Sequence, residues 1–162
     1  MRGENMRLVV ISDSHRHGRI VDLILRRERE ADYVFFLGDV TSDIEDLAYE
    51  YTDKKFHIVS GNCDFMPDYP YTEVVNVCGI NVFACHGHTL GVKGGTGSLR
   101  LAAKQADCRI ALYGHTHISN IEYADGLYIV NPGSCTQSRN GKNSYAVIDI
   151  RDNGILPSIV NI

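Results

Sequence analysis

No apolar run in the 162 residues approaches the ~20 that a membrane-spanning helix needs, and no export-type apolar segment stands near the start. Basic charge is scarce. Sixteen Lys and Arg against 20 Asp and Glu leave a formal net charge of −4, so there is no cationic stripe for a nucleic-acid backbone. Extended, sequence-independent binding to DNA or RNA is therefore not expected. The five cysteines (Cys63, Cys78, Cys85, Cys108, Cys135) are odd in number and contain no C-x-x-C pair. A disulfide framework is a poor reading of that pattern, and a reduced, cytoplasmic chain a better one. Cys85 and Cys108 lie beside or within apolar segments, where a small buried hydrophobe is expected. Internal repeats, linkers and low-complexity segments are also missing. With 44% hydrophobic and 22% charged residues, the chain is expected to form one domain over residues 1–162. Residues 1–5 are polar and expected to fray.

What is present is a series of short apolar runs. Strands are expected over Arg7 to Ser12, Tyr33 to Leu37 and Lys55 to Ser60. Helices are expected between them, one carrying Ile20, Leu23, Ile24 and Arg27 at helical spacing and one over Ser42 to Glu50. Ser42 with Glu45 three residues on reads as a capping box. This alternation predicts parallel strands joined by right-handed crossovers. After a loop at Met66 to Pro70 the pattern changes. Thr72 to Val77 and Ile80 to Cys85, separated by Cys78-Gly79, read as a hairpin. A glycine-rich stretch, Gly91 to Gly97, leads into a helix over Ser98 to Ala106. Strands follow at Arg109 to Tyr113, Ser119 to Tyr123, Leu127 to Val130, Ser144 to Ile150 and Ile155 to Val160. The expected architecture is α/β, a four-layer αββα sandwich of two mixed β-sheets with helices outside.

Five of these strands end in side chains that can bind metal. Leu8 to Ser12 runs into Asp13-Ser14-His15, and Tyr33 to Leu37 into Gly38-Asp39. Phe56 to Ser60 runs into Gly61-Asn62, Ile80 to Cys85 into His86-Gly87-His88, and Arg109 to Tyr113 into Gly114-His115-Thr116-His117. In near-extended backbone, residues two apart point the same way, so His115 and His117 are expected to face one spot. His17 and His57 lack this placement and are read as a helix start and a strand residue.

Asp13, His15, Asp39, Asn62, His86, His115 and His117 make two carboxylates, one amide oxygen and four imidazoles. No thiolate is among them, which disfavours structural zinc sites of the cysteine type. Seven ligands exceed one tetrahedral ion and suit two ions about 3.5–4 Å apart. Two divalent ions bring four positive charges and the carboxylates return two. The remainder matches one bridging hydroxide and one singly charged phosphodiester, so no serine or cysteine nucleophile is required. Nitrogen and oxygen ligands of this kind accept Mn, Ni, Fe, Co or Zn, and cellular supply often decides among them.

Asp13-Ser14-His15, Gly38-Asp39, Gly61-Asn62-Cys63-Asp64, His86-Gly87-His88 and Gly114-His115-Thr116-His117 resemble, in order, the five sequence blocks of the calcineurin-like metallophosphoesterases. Asn131-Pro132-Gly133-Ser134 resembles the small bacterial and archaeal phosphodiesterases of that superfamily. The resemblance runs from Met6 to about Ile150 and implies the αββα sandwich with a dinuclear site. It implies one metal on Asp13, His15 and His117, a second on Asn62, His86 and His115, and Asp39 bridging. The wider superfamily carries His after the third-block Asn, where it helps protonate the leaving group; this chain has Cys63. His88 is a further candidate at the catalytic centre.

Gly91 to Gly97 lacks the order of a nucleotide phosphate loop, because Lys93 precedes the glycines and His86 already occupies the strand end. It reads as a flexible loop on the substrate side, with Lys93 and Arg139 as candidate substrate contacts. The expected partner is a small phosphodiester, with a homo-oligomer left open and no membrane. The rival reading is a non-catalytic interaction scaffold of the same fold, like the retromer subunit that resembles these enzymes without a complete ligand set.

Overall fold

A computed structural model describes residues 5–65 and 68–162; the expectations for residues 1–4 and for Met66-Pro67 lie outside the described residues. In chain order the elements are β1 (Met6–Ile11), α1 (Gly18–Arg27), β2 (Tyr33–Phe36), α2 (Ser42–Glu50), β3 (Lys55–Ile58), β4 (Thr72–Val77), β5 (Ile80–Cys85), α3 (Gly97–Gln105), β6 (Ile110–Leu112), β7 (Asn120–Ala124), β8 (Leu127–Asn131), β9 (Ser144–Arg151) and β10 (Gly154–Asn161). Two 3-10 turns precede α3, His88–Leu90 and, inside the glycine-rich stretch, Val92–Gly94.

The strands make two five-stranded sheets, ordered β10-β9-β1-β2-β3 and β4-β5-β6-β8-β7. Strands β1, β2 and β3 run parallel, as do β5, β6 and β8. The remaining pairings are antiparallel, so both sheets are mixed. Alternation along β1 explains the layering. Leu8 and Val10 face the second sheet, among Val77, Val82, Ile110, Leu112 and Val130. Val9 and Ile11 face outward onto Val21, Ile24 and Leu25 of α1 and Ile44 of α2. On the far side, Phe83, Ala111 and Ile129 pack under Leu99 and Ala103 of α3. Strands buried on both faces read as continuous apolar runs, which is how they stand in the sequence. Each fully buried Leu or Ile contributes ~1.5–3 kcal/mol, so the three apolar layers hold the strand ends rigidly.

One local expectation fails. Ser42 lies inside α2; the N-cap is Thr41, with helical backbone and no side-chain cap bond. The amides ahead of the helix are taken instead by a carboxylate from another loop. Asp64 Oδ1 accepts from Val40 N–H at 2.9 Å and Thr41 N–H at 2.8 Å. An anion there also suits the positive end of the helix.

Candidate metal centre

Parallel neighbours align their carboxyl ends, and open sheets present ligand sites there. At this end a side chain of one sheet reaches the backbone of the other. His86, just past β5, places Nδ1 2.7 Å from Leu37 O, just past β2. The loops carry unusual backbone. Asp13, His15, Asp39, His115 and His117 all have positive φ, between 45° and 68°. This left-handed conformation is uncommon for non-glycine residues and clusters at functional sites. Gly38 allows two loops to touch, since a Cβ there would collide with the backbone nitrogen of Gly61.

The left-handed turns correct the expectation for His115 and His117. They do not face one spot. His117 Nε2 lies 3.2 Å from His15 Nε2 and 3.3 Å from Asp13 Oδ1. His115 Nδ1 lies 3.1 Å from His86 Nε2, which is also 3.0 Å from Asn62 Oδ1. Two subsites result. Asp39 reaches both, with Oδ2 3.7 Å from His15 Nε2 and Oδ1 3.4 Å from His86 Nε2. All seven side chains singled out at the strand ends are thus brought together. Asp13, His15, Asp39 and His117 offer ligand atoms within 4.8 Å of one another.

The hydrogen bonding tests whether a cation fits. A carbonyl can only accept, so His86 Nδ1, against Leu37 O, carries the proton and Nε2 presents a lone pair to the Asn62 oxygen. His117 repeats this, with Nδ1 2.9 Å from Gln137 O and Nε2 facing the Asp13 carboxylate. Asp13 Oδ2 accepts from Ser12 Oγ at 2.6 Å and His115 N–H at 3.1 Å. Its Oδ1 is buried and has no hydrogen-bond partner among the described residues. Acceptors facing acceptors, around an orphaned carboxylate oxygen, is a pattern that a cation completes. The nitrogen and oxygen donor set fits a divalent ion.

Burial alone would push the Asp13 carboxyl up, but its contact with His117, the field of His86 and the Ser12 hydroxyl hold it below its ordinary value. The same contact raises His117. Burial, with His86 and Lys93 nearby, pulls His115 down to about 4, leaving it neutral and ready to ligate. Exposed Lys93 thus lies on the His115 side, and exposed Arg139, whose field lowers His117, on the other. His88 sits with its ring 5.4 Å from His86 and 6.1 Å from His115, edge-on to Tyr71. Cys63 is exposed at the mouth, its N–H donating to Asp39 Oδ1 at 2.9 Å. Partial desolvation of the sulfur and the Asp39 charge push that thiol up to about 11.

Residues 6–153 match the calcineurin-like phosphoesterase superfamily domain. The chain belongs to that superfamily. A probable metallophosphoesterase of Bacillus subtilis, YsnB, is 28% identical over 149 residues, 91% of this chain and 86% of that protein. A Streptococcus pneumoniae structure, described as a predicted phosphoesterase, superposes with a TM-score of 0.85 at 27% identity, covering 98% of this chain and 90% of that one. The vacuolar protein sorting-associated protein 29 of Saccharomyces cerevisiae is 25% identical over 159 residues, 83% of this chain and 56% of that protein.

Superfamily members depend on metal, and several supporting side chains here escape a reading of the sequence. Asp64 binds four backbone amides: Val40 and Thr41 through Oδ1, Asp39 and Gly61 through Oδ2 at 3.0 and 2.7 Å. It thereby fixes the loops that carry Asp39 and Asn62. Buried Asn131, at the end of β8, donates to Gly114 O at 3.2 Å and Thr116 Oγ1 at 3.0 Å, shaping the turn between His115 and His117. Ser134 Oγ donates to Asp13 O at 2.8 Å. Asp64 stands inside Gly61 to Asp64, the motif that supplies Asn62, whereas Asn131 and Ser134 stand inside a run, Asn131 to Ser134, that supplies no ligand.

Proposed function

We propose that the chain is a dinuclear metal-dependent phosphodiesterase acting on a small phosphodiester. The observation that carries this reading is the pair of subsites in which lone pairs meet across 3.0–3.3 Å around the partnerless Asp13 oxygen. Asp13, His15 and His117 would hold one ion, Asn62, His86 and His115 the other, with Asp39 shared. When bound, such ions supply Lewis-acid activation of water and of the phosphoryl group. The chain's own part is to orient. Leu37 O and Gln137 O set the imidazole tautomers, Ser12 and the His115 amide aim Asp13, and the Cys63 amide aims Asp39. Lys93 and Arg139, whose charges act on His115 and His117 respectively, would meet phosphoryl oxygens. His88, its ring 5.4 Å from that of His86, is assigned the proton at the leaving group; burial and the neighbouring His86 lower it, so it would release that proton readily. Cys63, at about 11, donates poorly at neutral pH, which favours activated leaving groups.

Mn is the leading metal and Ni, Fe, Co or Zn suit the same donors. The test is hydrolysis of bis(p-nitrophenyl) phosphate. Activity is expected to vanish on chelation and return with Mn or Ni, with two ions bound per chain. Full turnover by the metal-free protein refutes the metal-dependent reading, and absence of turnover with every metal leaves the interaction-scaffold reading. The complete ligand set argues for the enzyme. Among the described residues no helix is long and apolar enough to cross a membrane. Free thiols at Cys63, Cys85, Cys108 and Cys135 fit a reducing compartment such as the cytoplasm.

A further inference from the structure

Beside the two subsites lies a cavity of about 320 Å³ lined by His15, Arg16, Val40, Asn62, Cys63 and Phe65. His15 belongs to one subsite and Asn62 to the other, so a phosphoryl group held between them directs one substituent into this space. A second cavity of about 330 Å³ shares Arg16, Val40, Cys63 and Phe65 and continues to Ser42 and Glu45 at the start of α2. Together they form one cleft that changes character along its length. Near the metal centre its surfaces are apolar, with the Val40 side chain and the Phe65 ring. Farther out they are polar, with the hydroxyl residues Thr41 and Ser42 and the carboxylate residues Glu45, Asp64 and Asp68.

Two features make the apolar part unusual. Phe65 is 90% exposed, although burying such a ring is normally favourable. Val40 lines both cavities from left-handed backbone, φ 76°, where a β-branched residue is a true outlier. Arg16 stands beside it at φ 69°. A glycine would relieve the backbone at position 40 but would remove the cleft's apolar wall.

An exposed aromatic face is suited to stacking a planar ring, and Arg16, which lines the same two cavities, brings a cation into the cleft. The Ser42 hydroxyl and Glu45 carboxylate match the hydrogen-bonding edge of a nitrogen base and do not match an alkyl chain. We infer that this cleft binds the nucleoside of a nucleotide phosphodiester, with the base stacked on Phe65 and the phosphate over the metal centre. Glycerol-type diesters would leave the cleft unfilled.

This inference rests on the diester reading of the same centre, and the two are separable by measuring binding and turnover independently. With Mn present, isothermal titration calorimetry compares adenosine 5′-monophosphate with glycerol 3-phosphate. The nucleotide is expected to bind roughly 10-fold more tightly, the scale of one base stacked on an aromatic side chain. Phe65→Ala should abolish that difference and Phe65→Tyr should restore it; at an exposed position neither change threatens folding. Equal binding of the two ligands by the unaltered protein overturns the nucleoside inference, as does a preference that survives Phe65→Ala. Hydrolysis of methyl p-nitrophenyl phosphate is followed in parallel. Its absence with every metal counts against the phosphodiesterase proposal, whatever the binding shows.

Discussion

Replacing Asp64 by asparagine changes one acceptor atom to a donor and leaves the side-chain shape intact. In the protein both carboxylate oxygens are fully used, each by two backbone amides. In the Asp64→Asn variant the remaining side-chain oxygen would serve one pair, and the NH₂ would point at the other pair, donor against donor. Two hydrogen bonds are lost. Each donor left unsatisfied costs ~1–3 kcal/mol when buried, and Asp64 itself is half-buried, so the total is about 2–4 kcal/mol. For a chain of this size that lowers Tm by roughly 5–15 °C. The effect should not stop at stability. If the Asp39–Gly61 pair is lost, the loop that aims Asp39 is released; loss of a partner behind a ligand typically costs about 10- to 100-fold in metal affinity. Thermal unfolding of the metal-free protein reads the first effect and Mn titration the second. A Tm within about 2 °C of the parent, with unchanged Mn affinity, would refute the role of Asp64 as the clamp of these two loops.

The shared position of Asp39 gives a sharper metal prediction: Asp39→Ala should bind neither ion or lose all activity, and two ions retained by elemental analysis would exclude bridging. At Cys63, a thiol pushed up to about 11 is a weak acid at neutral pH, so Cys63→His should raise rates on unactivated alkyl esters more than on nitrophenyl esters. An equal effect on both leaving groups rules out an acid role at that position. Far from the centre, a hydrogen bond from the Arg7 guanidinium, 2.8 Å from Asp149, holds that carboxyl below its ordinary 3.8. A depressed folded-state pKa contributes stability that is present above 3.8 and lost as pH falls through the folded value. Arg7→Gln should therefore lower stability at neutral pH and flatten its fall below about pH 4. A parallel shift of the whole denaturation-against-pH curve would contradict this.

Much of this molecule is legible along the chain because the signals are local. The β4–β5 hairpin is marked by two apolar runs flanking Cys78-Gly79, and both turn residues take the positive φ that such a short turn requires. The parallel strands are recognisable as unbroken apolar runs, since β1, β2 and β6 are buried on both faces. Each of the five strands stops at a polar residue with a metal-binding atom, so the seven converging side chains could be named from their strand ends. Other features depend on dihedral angles and contacts between distant loops, which no periodicity encodes. The left-handed turns at His115 and His117 send neighbouring imidazoles to different subsites. Asp64, rather than Ser42, caps the start of α2, because a carboxylate from 23 residues away reaches amides that a local serine does not. Asn131 acts only because β8 lies parallel beside β6, a pairing that inserts it between β6 and the earlier strand β7. The cleft of Arg16, Val40 and Phe65 is built from three loops and has no signature in any of them. The sequence by itself determined which atoms can bind metal and at which strand ends they stand. Only the tertiary structure decided how they divide, what aims them and what lies beside them, because those relations are set by packing between loops far apart in the chain.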